Sequence, residues 1–487
     1  MIGGIGGDPR KALGVCRTNA SSGAWVDWGM GFAAPDIRLR ADGRTPVGPG
    51  FWPRILDGTS FKLDAASLLR RNAEEYGDLV YFKAPGRAVL QFNHPELVQE
   101  MLVRDASHHH RNLVMQKSKA VLGEGLLTSE EPLHMRQRKL AAPAFHRQRI
   151  AAYGEVISAY TLAMTDTWKH GAVFDVRGEM LLLALRIVAK TLFDSKFDDE
   201  VHEIAAAVDS FQGFLPLAFL PFPEMIQRLP IPAMTKIRRG RELLDGLIYR
   251  MIAERRTNPG DRGDLLSMLL GSVDEAGGRM SDTQVRDECL TILLAGHETT
   301  ANALSFAAWL LAGAPEVQER LGTECREVLG GRAPVAADFG QLGFAERVFA
   351  EALRLYPPVW VTARTAAEAY EYRGFRVEQG TILVAPQFAV QRDGRWWADP
   401  DRFDPERFTA AEKALRPKFA YFPFGAGSRQ CIGEGLAWME GALSLAAMAQ
   451  DWQFSRTDGG GDVMKVDPSV SLRPKGPVML RVERRTV

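Results

Sequence analysis

The chain has 487 residues, 46% hydrophobic and 25% charged, with 60 Lys+Arg against 60 Asp+Glu. This composition excludes disorder, collagen and a disulfide-stapled miniprotein, and it is long enough to bury a large core. Balanced charge removes any overall attraction to nucleic acid, so an electrostatic partner has to be met by a local patch.

The first 45 residues are glycine-rich and lack the basic-then-apolar layout of a signal peptide. They read as a poorly ordered amino-terminal extension of a cytoplasmic protein. The turn-rich Thr45–Gly50 follows. Leu63–Tyr76 has helical period, and Leu79–Lys83 with Ala88–Phe92 reads as a hairpin across Pro85-Gly86. From about 95 to 355 the period is helical, broken by the proline-dense Pro216–Pro232, a candidate lid. The longest apolar stretch, Met180–Phe193, is interrupted by Arg186 and Lys190. It predicts a core helix, and no membrane-spanning segment is expected. The carboxyl third predicts short strands, many turns and one late helix over about Gly433–Asp451.

Four cysteines, Cys16, Cys289, Cys325 and Cys431, form no CxxC pair. This argues against structural zinc or disulfides and fits a reducing compartment. Three segments carry the chemistry. A long helix over about Ser281–Gly313, with a capping box from Ser281 to Gln284, holds Ala295-Gly296-His297-Glu298-Thr299-Thr300 at its middle. Polar residues there, beside a glycine, suggest a locally loosened groove. Glu351 and Arg354, spaced i to i+3, share one helix face. Phe424-Gly425-Ala426-Gly427-Ser428-Arg429-Gln430-Cys431-Ile432-Gly433 crowds three glycines and an arginine around one cysteine. Such glycines let backbone approach a flat ligand closely. A cysteine at a helix start is expected to favour thiolate, a soft donor to iron.

That last segment resembles the haem loop F-x-x-G-x-R-x-C-x-G of the cytochrome P-450 superfamily. The E-x-x-R pair, the A-G-x-[DE]-T-T segment, Tyr356-Pro357-Pro358 and the meander Asp399–Phe408 extend the resemblance over about residues 46 to 485. It implies a mainly α fold with a small β lobe, a triangular helical domain with a long central helix over haem, as a single domain over 46–487. Haem b (iron protoporphyrin IX) would be ligated by Cys431 and cradled by Phe424, Gly425, Arg429 and Gly433, with Ala295 over its face. Its propionates would meet Arg429, Arg364 and the i,i+4 pair His134 and Arg138. Thr299 would meet dioxygen and Glu298 would relay protons. Glu351, Arg354 and Arg407 would form a buried structural network. The pocket nominees are Phe211, Phe214, Leu294, Ala295, Val359, Trp360 and Val361.

The implied activity is a monooxygenase inserting one atom of dioxygen into a hydrophobic small molecule. Fatty acids, terpenoids, steroids and aromatics are the classes considered. The chain has no room for a flavin or iron–sulfur module. Electrons would come from NAD(P)H through a separate ferredoxin or flavodoxin and reductase, docking on Arg136, Arg138 and Lys139. The alternatives are a peroxygenase or isomerase and a non-catalytic haem sensor; no G-x-S-x-G elbow supports a hydrolase. Two local departures stand out: Gln391 sits where histidine is frequent, and Glu130-Glu131-Pro132-Leu133 precedes His134 where glycine is frequent. The anchor of the family's microsomal members is also missing.

Overall fold

The computed structural model describes residues 33–40, 45–49, 58–84, 87–195, 200–211, 232–457 and 463–485. They belong to the compact unit Pro35–Val487, apart from Ala33 and Ala34. Expectations for the amino-terminal extension, the hairpin turn, Phe214 and the proline-dense stretch fall wholly or mostly outside those residues.

The principal helices are α1 (Gly58–Tyr76), α2 (Leu133–Ala141), α3 (Arg147–Thr165), α4 (Val176–Phe193), α5 (Val201–Ser210), α6 (Pro232–Thr257), α7 (Leu265–Gly271), α8 (Asp282–Ala312), α9 (Pro315–Leu329), α10 (Gly343–Leu355) and α11 (Glu434–Asp451). The principal strands are β1 (Leu79–Ala84), β2 (Arg87–Phe92), β3 (His109–Arg111), β4 (Val173–Asp175), β5 (Thr362–Ala366), β6 (Ile382–Ala385), β7 (Trp452–Arg456) and β8 (Met479–Arg484). Helices dominate, as expected. The first begins before Leu63, with a non-helical break at Asp64 (φ −159°, ψ 62°).

The α8 helix is the axis of the unit. Ser281 Oγ accepts the Gln284 N–H at 3.2 Å, and Gln284 Oε1 accepts the Ser281 N–H at 3.0 Å. The predicted capping box therefore starts the helix. Its 31 residues span roughly 46 Å at 1.5 Å per residue. On either side of its middle, Val285–Leu293 and Thr300–Leu311 are buried on all faces, which explains its lack of a polar stripe. Helix α4, read as a core helix from its composition, packs beside it. A Cβ built on Gly296 would lie 3.2 Å from Val188.

The β lobe is not confined to the amino end. One five-stranded sheet runs β1-β2-β6-β5-β3, mixing strands from both ends of the chain. The β1–β2 hairpin is antiparallel with Lys83 opposite Ala88. β2 pairs parallel with β6, Val89 opposite Ile382. β5 then pairs antiparallel with both β6 and β3, placing Arg364 opposite Arg111. A separate three-stranded sheet runs β4-β8-β7. Among the described residues no helix is long and apolar enough to cross a membrane.

Candidate functional site

The site is built from α8, the cysteine loop before α11, and a basic cluster at the sheet edge. Midway along α8 the burial breaks: Ala295 is exposed, and Leu294, Gly296 and Thr299 are partly exposed, between fully buried turns. Ala295 and Thr299 lie one turn apart on one face. Thr299 Oγ1 donates to the Ala295 carbonyl at 2.7 Å, the back-bonding that bends a helix. Glu298 points elsewhere, buried, its Oε1 accepting the Ser471 hydroxyl at 2.9 Å. Burial pushes its carboxyl above the ordinary range, and the Ser471 hydrogen bond and Arg473 and Arg177 charges counteract this. The neighbouring His297 faces the core, and burial drives it down to about 4, so it is neutral at pH 7.

The cysteine loop holds its shape through its own backbone. Cys431 N–H donates to the Phe424 carbonyl at 2.9 Å and Gln430 N–H to the Gly427 carbonyl at 3.1 Å. Gly425 (φ +68°) and Gly427 (φ +71°) occupy the left-handed region that favours glycine. A Cβ on Gly427 would stand 2.5 Å from the Leu102 carbonyl oxygen, so here the glycine is needed for close approach as well. Phe424 packs against Trp438 of α11 at 5.6 Å between ring centroids. Cys431 carries accessible surface although surrounding protein desolvates its thiol. A side chain that is both accessible and surrounded lines a concavity rather than the outer surface.

Without a metal, the surroundings of this cysteine work against ionisation. The position before a helix was expected to favour thiolate, but burial pushes the thiol up to about 11. The Gly433 amide and the Arg138 charge act the other way and are outweighed. The helix begins only at Glu434, three residues on, and that carboxylate opposes ionisation too. A metal at this sulfur must therefore displace a proton.

The basic cluster joins distant segments. Arg111 of β3, Arg364 of β5 and Arg429 each disfavour charge on a neighbour in the cluster, and His134 of α2 feels Arg111 and Arg429. Desolvation, then mutual repulsion, drives Arg111 down to about 9 and Arg364 to about 10. His134 falls to about 4 for the same reasons, so it is a neutral hydrogen-bonding group at pH 7. Arg429 donates to the Ser129 carbonyl at 2.6 Å and to Glu130 at 3.0 Å. Glu131 lies 3.0 Å from His134 Nδ1. The unusual Glu130-Glu131 pair thus supplies carboxylates facing the cluster. Among the described residues, the three guanidinium groups face only these two carboxylates, and Arg111 Nε is buried with no hydrogen-bond partner. This surplus of desolvated positive charge fits a group carrying two carboxylates, as haem does. The residues present therefore fit the cofactor.

Arg111 was not anticipated. It lies in Ser107-His108-His109-His110-Arg111, which has no motif; only its pairing opposite Arg364 exposes its place. Arg138 sits apart from the cluster and donates to the Gln430 carbonyl at 2.7 Å, beside the cysteine. The proposed docking patch is also altered. Arg136 pairs with Asp274 at 2.6 Å and Lys139 with Glu275 at 2.8 Å, so two of its three cations are neutralised internally.

Glu351, Arg354 and Arg407 lie together. Glu351 and Arg354 are fully buried, and Arg407 Nε lies 3.4 Å from Glu351. Gln391 donates to the carbonyls of Leu353 and Arg354 at 3.0 and 3.2 Å and accepts the Phe422 N–H at 3.1 Å. It splices the end of α10 to the strand of chain entering the cysteine loop. Asp287 and Glu288 of α8 accept the N–H groups of Glu124 and Leu126 at 2.8 and 3.0 Å, fixing the segment that leads to Ser129 and Glu130. Of the pocket nominees, Val359 is 41% exposed and Leu294 and Val361 are partly exposed. Trp360 instead is buried and donates to the Ser469 carbonyl at 3.2 Å. Phe211 is buried at the end of α5.

Comparison with known proteins agrees with this geometry. The family model described as cytochrome P450 matches residues 46–482. Cyclooctatin synthase of Streptomyces melanosporofaciens is 38% identical, covering 83% of this chain and 87% of its own. Pentalenene oxygenase of Streptomyces avermitilis is 33% identical, over 82% and 87%. Cyclooctat-9-en-7-ol 5-monooxygenase of Streptomyces melanosporofaciens is 36% identical, over 79% and 84%.

Proposed function

The chain belongs to the cytochrome P450 family and is a haem-thiolate monooxygenase acting on hydrophobic substrates; from that premise we propose that it oxygenates a cyclic terpenoid hydrocarbon or its alcohol. Relatives named for pentalenene and for cyclooctat-9-en-7-ol support this substrate class. The accessible surface at Ala295, Leu294 and Val359 supplies an apolar wall for it, which suits a hydrocarbon skeleton.

Cys431 would supply the thiolate that holds the haem iron. Arg111, Arg364 and Arg429 would neutralise the haem carboxylates, with His134 as a neutral hydrogen-bond partner, and the loop from Phe424 to Gly433 would help to hold the cofactor. When bound, the haem supplies the oxygen activation that no side chain here can perform. The protein's own part is to orient substrate, exclude water and deliver protons. Thr299 presents a hydroxyl at the accessible face of α8. Glu298 is the buried acid that passes protons toward it. Electrons come from NAD(P)H through a separate ferredoxin or flavodoxin system. Arg138 remains available beside the cysteine loop to meet an acidic partner.

The observation that carries this reading is the accessible Cys431 thiol set among protein. The test is spectroscopic. Reduced protein under carbon monoxide should show the strongly red-displaced Soret band of thiolate ligation, and Cys431→Ala should abolish it. Titration with pentalenene should then shift the Soret band of the ferric protein. A normal band in Cys431→Ala would sink the assignment, and silence toward pentalenene and related cyclic terpenes would sink the substrate class.

A further inference from the structure

We infer that Ser471 is a positioning residue for Glu298: aimed by Asn302, its hydroxyl fixes where the Glu298 carboxyl points and ties it to the loop that also holds the pocket segment Pro358–Trp360. The inference rests on the proposed proton-relay role of Glu298.

Ser471 lies in the turn between the short strands Val466–Pro468 and Leu472–Pro474, far in sequence from α8. It is buried, as is Asn302. Asn302 Nδ2 donates to Ser471 Oγ at 3.1 Å, and Ser471 Oγ donates to Glu298 Oε1 at 2.9 Å. A hydroxyl has one proton. Because the asparagine N–H already occupies a lone pair, the serine proton is directed at the carboxylate. Glu298 and Asn302 are one helical turn apart on α8, so the arrangement is a three-residue clasp between helix and hairpin.

The same turn is fastened to the pocket segment. Trp360 Nε1 donates to the Ser469 carbonyl at 3.2 Å, and Leu472 N–H donates to the Pro358 carbonyl at 2.8 Å. Val359, the exposed member of that segment, lies between these two anchors. Displacement of Val359 by a bound molecule therefore reaches Glu298 through four residues of one turn. Substrate occupancy and the orientation of the proton-relay acid are coupled through this turn. The charges acting on Glu298 come from Arg473 in the hairpin, Arg177 at the start of α4 and Asp209 in α5. None of these replaces the directional hydrogen bond of Ser471.

The test uses the haem-loaded enzyme. The carbonyl stretch of protonated Glu298, assigned by its loss in Glu298→Gln, is titrated against pH by infrared difference spectroscopy. Ser471→Ala should move the midpoint up by about one pH unit, the usual effect of removing a hydrogen bond to a charged group. Ser471→Thr should restore it. Asn302→Ala should move it in the same direction by less, and it serves if Ser471→Ala folds poorly. The relay has its own readout. Glu298→Gln should raise the solvent deuterium isotope effect on dioxygen consumption driven by a surrogate ferredoxin system. An unmoved midpoint in Ser471→Ala, with Glu298→Gln behaving as expected, overturns the positioning inference alone. An unchanged isotope effect in Glu298→Gln overturns the relay beneath it.

Discussion

Arg354 grips both carboxylate oxygens of Glu351, Nε to Oε2 at 2.6 Å and Nη2 to Oε1 at 2.7 Å, with neither side chain exposed. A buried ion pair survives desolvation only when every remaining donor is used. Here they are. Arg354 also donates to the carbonyls of Gln391, Pro400 and Arg402 at 2.9, 2.6 and 3.1 Å. Glu351 accepts the Asp404 N–H at 2.9 Å. Trp397 and Arg354 stack at 5.0 Å. The pair thus fastens the meander to α10, and Gln391 carries that order on to the cysteine loop.

Arg354→Leu should leave Glu351 charged and unpaired and cost about 3–5 kcal/mol, the usual penalty for breaking a buried pair on one side. The expected outcome in urea unfolding is a lower midpoint, with loss of bound haem before global unfolding. A variant within about 1 kcal/mol of wild type would refute this account of the network.

Gly427→Ala should damage the cysteine loop more than the fold. The left-handed backbone alone costs an L-residue about 1–2 kcal/mol, and the new methyl would meet the Leu102 carbonyl at 2.5 Å. Circular dichroism should stay near wild type while the carbon monoxide complex shifts toward the band of a protein without thiolate ligation. An unaltered complex would show that the loop tolerates the displacement.

Arg111→Gln should have opposite effects on the two forms of the protein. Removing one of three mutually repelling guanidinium groups should raise the thermal midpoint of the apoprotein. It should also speed haem loss to apomyoglobin by about tenfold, as expected for one charge-assisted hydrogen bond. Unchanged haem transfer would place Arg111 outside the cofactor site.

Glu440 in α11 is 2% exposed, with Oε1 unpartnered among the described residues, and burial pushes it up to about 8. Below pH 4.5 this carboxyl is protonated whether the chain is folded or not. As pH rises, the unfolded chain ionises first, so the group subtracts stability progressively until about pH 8. Glu440→Gln removes that penalty. Its advantage over wild type should grow from little at pH 4.5 to on the order of 3 kcal/mol at pH 7. A difference independent of pH would show that Glu440 is ionised in the fold.

How far the sequence could be read follows the range of the interactions. The helix from Ser281 to Gly313 was legible because its cap is local: Ser281 and Gln284 bond each other three residues apart. The E-x-x-R pair was legible for the same reason, and Arg407 because the meander has a compact pattern. The strands at Leu79 and Ala88 were legible as two short apolar runs on either side of the turn signal Pro85-Gly86. Sheet membership was not, since β2 pairs with β6 across almost 300 residues. Arg136 and Lys139 read as free cations because Asp274 and Glu275 are remote in sequence. The bond from the Trp360 indole to the Ser469 carbonyl was not legible, because its partner lies 109 residues away.

The order of residues thus determined the family, the helices and the identity of the sulfur, because spacing and turn chemistry are properties of neighbouring residues. Only the tertiary structure decided the electrostatics. Whether Cys431 holds its proton, whether Arg111 repels Arg364, and which hydroxyl aims at Glu298 all depend on desolvation and on distances between groups far apart in sequence. Those quantities come into existence only when the chain closes on itself and water is removed.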